Sequence, residues 1–87
     1  MKIYVYAISK NESKFVERFL RSVSEADGVY VLDTGSTDDT VEKLRAGGAV
    51  VIEQTIDPWR FDDARNAALK LLPPDADVAV SVDLDEV

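Results

Sequence analysis

Eighty-seven residues with a net charge of −7 describe at most one small acidic domain, 46% apolar and 31% charged, which are folded-protein proportions. At this length roughly 60–65% of the chain's surface is buried on folding, so the core is small. The acidic balance argues against a nucleic-acid backbone as partner, and the absence of Cys and His excludes disulfides, thiolate or imidazole catalysis and Cys/His zinc sites. Metal ligation and proton transfer fall to carboxylates, which suit hard cations such as Mg²⁺ or Mn²⁺.

The chain begins in a strand pattern, Lys2-Ile3-Tyr4-Val5-Tyr6-Ala7-Ile8, whose unbroken apolar and β-branched run is that of a strand buried on both faces. It has neither the apolar core nor the cleavage site of a secretory signal, and no run approaches the roughly 18 residues of a membrane span. A cytoplasmic protein without a membrane segment is the expectation. Ser9-Lys10-Asn11 breaks the strand. From Glu12, apolar residues at Phe15, Val16, Phe19, Leu20 and Val23 predict an amphipathic helix, ended by Asp27-Gly28. Val29–Leu32 is a second buried strand, closed by Asp33.

Thr34-Gly35-Ser36-Thr37 is a turn. Ser36 or Thr37 is placed to cap a helix through Val41, Leu44 and Arg45, with Asp38 and Asp39 in its first turn. Gly47-Gly48 ends that helix, and Ala49–Ile52 is a third strand. Gln54 to Arg60, with Pro58, reads as a loop. A third helix spans roughly Phe61 to Leu72, with Phe61, Ala64, Ala68, Leu69 and Leu72 as its inner stripe. Pro73-Pro74 stops it. Asp77 to Val82 is a fourth buried strand, which runs into Asp83-Leu84-Asp85-Glu86. The order βαβαβαβ implies a three-layer α/β/α domain on a parallel sheet, with ligands bound beyond the carboxyl ends of the strands. The loops after the first, second and fourth strands all fall at that edge.

Three constellations there carry chemistry, and each has a plainer reading. Asp33 directly follows a buried strand and needs a partner, whether a base N–H, a ribose hydroxyl or a protein donor. Ser36, Thr37, Asp38 and Thr40 also read as ordinary turn-and-cap punctuation. Alternation along a strand puts Asp83 and Asp85 on one face, about 6–7 Å apart, where they suit a divalent cation and a phosphate or ribose oxygen. The same pair also reads as a solvated acidic stretch, and Glu86 has the weakest case for a role. Arg65 suits a phosphate, a pairing with Asp33 or another acidic group near it, or a surface ion pair with Asp62.

Together, Ser9-Lys10-Asn11-Glu12, Asp33-Thr34-Gly35-Ser36-Thr37-Asp38-Asp39-Thr40, Ala64-Arg65-Asn66-x-Ala68 and Asp83-Leu84-Asp85 resemble the family 2 glycosyltransferases of the GT-A fold, in order and spacing and over the whole chain. The resemblance implies a Rossmann-like half of that fold and a donor site for a nucleotide-diphosphate sugar, UDP- or GDP-linked. By motif position it assigns Ile8, Ser9, Asn11 and Asp33 to base and ribose, Asp83 to the ribose, and Asp85 to Mn²⁺ or Mg²⁺ on the diphosphate. Arg65 is a further donor-site contact. It also implies inverting transfer to an acceptor, of which the sequence gives no sign. Many members have a second Asp where this chain has Thr34. The family's acceptor region and general base lie past the D-x-D element, so residues 1–87 are expected to supply the donor-binding half, without a base of their own.

A second hypothesis is a non-catalytic half-domain that self-associates through an exposed sheet edge, as a homo-oligomer. Asp83-Leu84-Asp85 also resembles the D-x-D of haloacid-dehalogenase-type phosphatases. There the motif follows the first strand, whereas here it comes after the fourth.

Overall fold

The computed structural model describes residues 1–55, 60–82 and 84, with Phe61 described by its backbone alone. The predicted order is observed: β1 (Ile3–Ser9), α1 (Ser13–Ser22), β2 (Gly28–Asp33), α2 (Thr40–Ala46), β3 (Val50–Glu53), α3 (Phe61–Leu69) and β4 (Val78–Ser81). The four strands form one parallel sheet in the order β3-β2-β1-β4. β1 is central, and its apolar run is buried from Tyr4 to Ala7 as the sequence implies.

Side chains alternate between two cores. Val5 and Ala7 of β1, Val31 of β2 and Val51 of β3 pack with Val16, Phe19 and Val23 around α1 and with Val41 and Leu44 of α2. On the other face Tyr6 and Leu32 pack against Ala64 and Ala68 of α3. The stripe predicted for α1 is thus the buried one, each large apolar side chain contributing about 1.5–3 kcal/mol. Leu84 is also fully buried in the α1-side core. Gly47 lets α1 and α2 approach, since a Cβ there would lie 2.2 Å from Leu20 Cδ1.

Three expectations are corrected. The third helix ends at Leu69 rather than Leu72, and Leu69 lies exposed. Its last turn tightens, with Leu71 N–H donating to Ala68 O and Leu72 N–H to Leu69 O. The ring of Pro73 disfavours helical geometry in the residue before it. The fourth strand is not buried: all four β4 residues are exposed, because it is an edge strand. The other edge, β3, leaves Val50 and Ile52 uncovered on the α3 face of the sheet, at 48% and 42% exposure. Unbroken apolar runs do not distinguish an edge from a centre.

At the amino end of the sheet, acidic side chains act as latches. Asp77 Oδ2 accepts from Lys2 N–H at 2.6 Å and Asp27 Oδ2 from Ile3 N–H at 2.7 Å, while Tyr4 Oη donates to Asp75 Oδ1 at 3.2 Å. Part of the negative charge is therefore structural.

Candidate functional site

The carboxyl ends of β1 and β2 meet at the register pair Ser9 and Asp33. Thr34 ties them together, its N–H donating to Ser9 O at 2.9 Å and its hydroxyl to the same oxygen at 3.3 Å. Asp33 is fully buried. Its Oδ1 accepts from Gly35 N–H (3.0 Å) and Ser36 N–H (2.7 Å), and its Oδ2 from the hydroxyls of Ser9 (2.9 Å) and Ser36 (2.5 Å). Burial pushes this carboxyl up, but the hydrogen bonds from Ser36, Gly35 and Ser9 outweigh it and hold it below the usual Asp value. The expected partner exists, and it is the protein itself. No pairing of Asp33 with Arg65 is formed, as these four donors take both oxygens.

From Ser36 the network crosses to the loop between β1 and α1. Asn11 N–H donates to Ser36 Oγ at 2.8 Å, and Asn11 Oδ1 accepts from Thr37 N–H at 2.7 Å and from its hydroxyl at 3.3 Å. Asn11 holds φ at 51°, a left-handed conformation that Asn tolerates better than most residues. Further along, Thr40 Oγ1 accepts from Glu12 N–H at 3.0 Å and donates to Asp38, while the Ser13 hydroxyl donates to Asp39.

These contacts correct the expected cap. α2 starts at Thr40 with Asp39 at its N-cap, so Asp38 and Asp39 precede the helix rather than lying in its first turn. Ser36 and Thr37 reach across to Asn11 instead of capping α2. Hydrogen bonds from Thr40 to Asp38, and from Ser13 to Asp39, hold both carboxyls below the ordinary range despite a smaller opposing effect of burial.

The loop turns at Gly35, whose φ of +125° is left to glycine. Gly35→Ala is expected to cost about 1 kcal/mol or more and to disturb the Asp33 bonds. Urea unfolding at an unchanged midpoint would contradict this.

The structure brings Ser9, Asn11 and Asp33 together. Ser9 is buried, Asn11 is exposed, and Ile8 is half-buried on the α3 side of the sheet. Arg65, on α3, is exposed and raised in pKa chiefly by a hydrogen bond with Tyr6, with a smaller contribution from Asp62. The predicted residues Asp83 and Asp85 lie outside the described residues. Among the described residues no three acidic side chains converge on a cation position. Thr34, Ser36 and Thr37 are the organising groups that the cap reading underrated. The signal was present in the density of hydroxyls facing Asn11, but their partners on the β1 side lie 25 or more residues away. Among the described residues no helix is long and apolar enough to cross a membrane.

Comparison with known proteins gives this geometry a lineage. An uncharacterised glycosyltransferase of Rickettsia prowazekii is 44% identical over 59 residues, covering 67% of this chain and 19% of the relative. One from Rickettsia conorii is 46% identical over 59 residues, covering 67% and 20%. The chain therefore spans about a fifth of the length of the curated relatives it matches. Glucosyl-3-phosphoglycerate synthase of Mycobacterium tuberculosis, in complex with Mn²⁺, UDP and glucosyl-3-phosphoglycerate, superposes with a TM-score of 0.80 at 29% identity. That match covers 97% of this chain and 33% of the synthase. A further structure of the synthase gives a TM-score of 0.81 at 28% identity, over 99% of this chain and 35% of that one. The fold is thus part of a GT-A fold, in the α/β arrangement expected from the sequence. Residues 4–87 match Glycosyl transferase family 2, and the chain belongs to that family.

Proposed function

We propose that residues 1–87 form the donor-binding part of a glycosyltransferase, taking a nucleotide-diphosphate sugar together with Mn²⁺ or Mg²⁺. One observation carries the reading: the loops after β1 and β2 are joined by Asp33, Ser36 and Asn11 at the carboxyl edge of a parallel sheet, where such folds take nucleotides. The structural likeness to a synthase bound to UDP and Mn²⁺ supports it.

In this reading Ile8, Ser9, Asn11 and Asp33 build the base and ribose end, and Asp83 lies by the ribose. Asp85 holds the cation, and Arg65 offsets charge on the diphosphate. The donor chemistry fits a hard cation, because the chain has carboxylates but no His or Cys. When bound, the cation supplies charge neutralisation to the departing diphosphate. The reaction proposed is inverting transfer to an acceptor hydroxyl. Its general base is not assigned to any residue here.

UDP- and GDP-sugars with Mn²⁺ test this by thermal unfolding. A ligand at a hundredfold excess over Kd adds about 2.7 kcal/mol, on the order of 10 °C for a chain this size. Asp85→Ala is expected to abolish the shift. A melting temperature unmoved by every one of these sugars would reject the reading.

A second reading, association with another copy, draws on the exposed edge strands β3 and β4. A monomer in sedimentation at every concentration would remove it.

A further inference from the structure

We infer that Asp33 is a positioning residue, which fixes Ser36 and through it Asn11 so that the two rim loops meet the donor as one pre-formed surface. The inference rests on the donor-site reading above and changes one role within it.

Asp33 has no acceptor capacity to spare. A carboxylate offers about four lone-pair sites, and Asp33 has four protein donors on its two oxygens. The residue is also fully buried. A base N–H or a ribose hydroxyl would have to displace a hydroxyl or an amide already in place. Ser36 relays the constraint, since its hydroxyl donates to Asp33 and its oxygen accepts from Asn11 N–H. Asn11, held in a left-handed conformation, then fixes Thr37 through its side-chain oxygen. Polarity runs one way along this chain, and the negative charge on Asp33 sets its direction. Asn11, unlike Asp33, is exposed and so available to a ligand.

Asp33→Asn keeps the shape but turns an acceptor into a donor. The new amide N–H needs the Ser36 oxygen as its acceptor, so the Ser36 hydroxyl must turn away, and that oxygen then has to accept from both this N–H and Asn11 N–H. The test uses the whole chain, with Asp33→Asn, Ser36→Ala, Ser36→Thr and the Asp33→Asn/Ser36→Ala pair. UDP, GDP and ADP with Mn²⁺ are titrated by calorimetry, and amide exchange is followed by NMR without nucleotide. Asp33→Asn and Ser36→Ala are each expected to weaken all three nucleotides by a common factor, about tenfold. The pair should be no weaker than its worse member. Ser36→Thr, which keeps the hydroxyl, restores most of the affinity. Exchange at the Asn11 and Thr37 amides quickens in Asp33→Asn and Ser36→Ala, while that at Val31 in the core does not.

A loss confined to one nucleotide in Asp33→Asn, with Ser36→Ala binding normally, would overturn the inference and make Asp33 a base contact. So would unchanged exchange at Asn11 and Thr37. If the unaltered chain binds none of the three nucleotides, the donor-site reading fails, and the exchange result alone upholds or overturns the positioning role. Should Asp33→Asn not fold, Ser36→Ala carries the same comparisons.

Discussion

Asp33→Ala is expected to lower stability by about 3 kcal/mol, which for a chain of this length is on the order of 15 °C in melting temperature. The substitution removes the acceptor of four hydrogen bonds from inside the rim and strands two backbone amides that turn inward at Gly35 and Ser36. Losses within one network are not additive, so the cost stays below the sum of four separate losses. Thermal unfolding within 3 °C of the unaltered chain would show that the network is dispensable.

The same carboxylate makes stability depend on pH in a definite direction. Its pKa is lowered in the folded state, so its contribution is fully present above the ordinary Asp value of about 3.9. That contribution is lost as pH falls through the lower, folded-state value. Urea midpoints followed from neutral pH into acid should therefore drop below about pH 4, and drop less in Asp33→Asn. An equal drop in both proteins would place the acid sensitivity elsewhere.

Leu84→Ala has an effect of similar size, about 3 kcal/mol. Leu84 is fully buried in the core that holds Val5, Val16 and Phe19, so truncation leaves a cavity. Stability for a chain this long is about 5–10 kcal/mol in total, so the loss is a large share of it. Val80→Ala on the adjacent edge strand, 38% exposed, is the control and should cost about 1 kcal/mol or less. A Leu84→Ala midpoint in urea no lower than that of the control would mean that the side chain is not the anchor it looks to be. The residue is flanked in sequence by Asp83 and Asp85, so core packing and the proposed ribose and cation contacts share three consecutive positions. Nucleotide affinity in Leu84→Ala is thus expected to fall along with stability.

The alternation of strands and helices was readable because β1 and β2 are unbroken apolar runs and α1 carries a clear helical period, and the residues counted as inward on α1 are inward. The left-to-right order of the sheet was not. Nothing in Val78-Ala79-Val80-Ser81 says that it borders solvent, because that depends on which strand lies next to it. The end of α3 was misjudged for a local reason, the constraint that Pro73 places on the residue before it. The rim was legible in part. Asp33 was recognised as needing a partner, and Ser9 and Asn11 were recognised as belonging with it. That the partner would be a serine three positions on, itself held by Asn11 from another loop, is tertiary information. A run of hydroxyl and acidic residues looks the same whether it caps its own helix or clasps its neighbour.

Asp33, Asp38 and Asp39 are all held below the usual carboxylate range, so each stays ionised well into acid. The chain has no imidazole to take up a proton near neutrality. A step in nucleotide affinity at about pH 6, close to where a phosphate monoester takes its second proton, would then report the ligand's own terminal phosphate. Titrating UDP against uridine, which has no phosphate to protonate, separates that contribution from any belonging to the polypeptide.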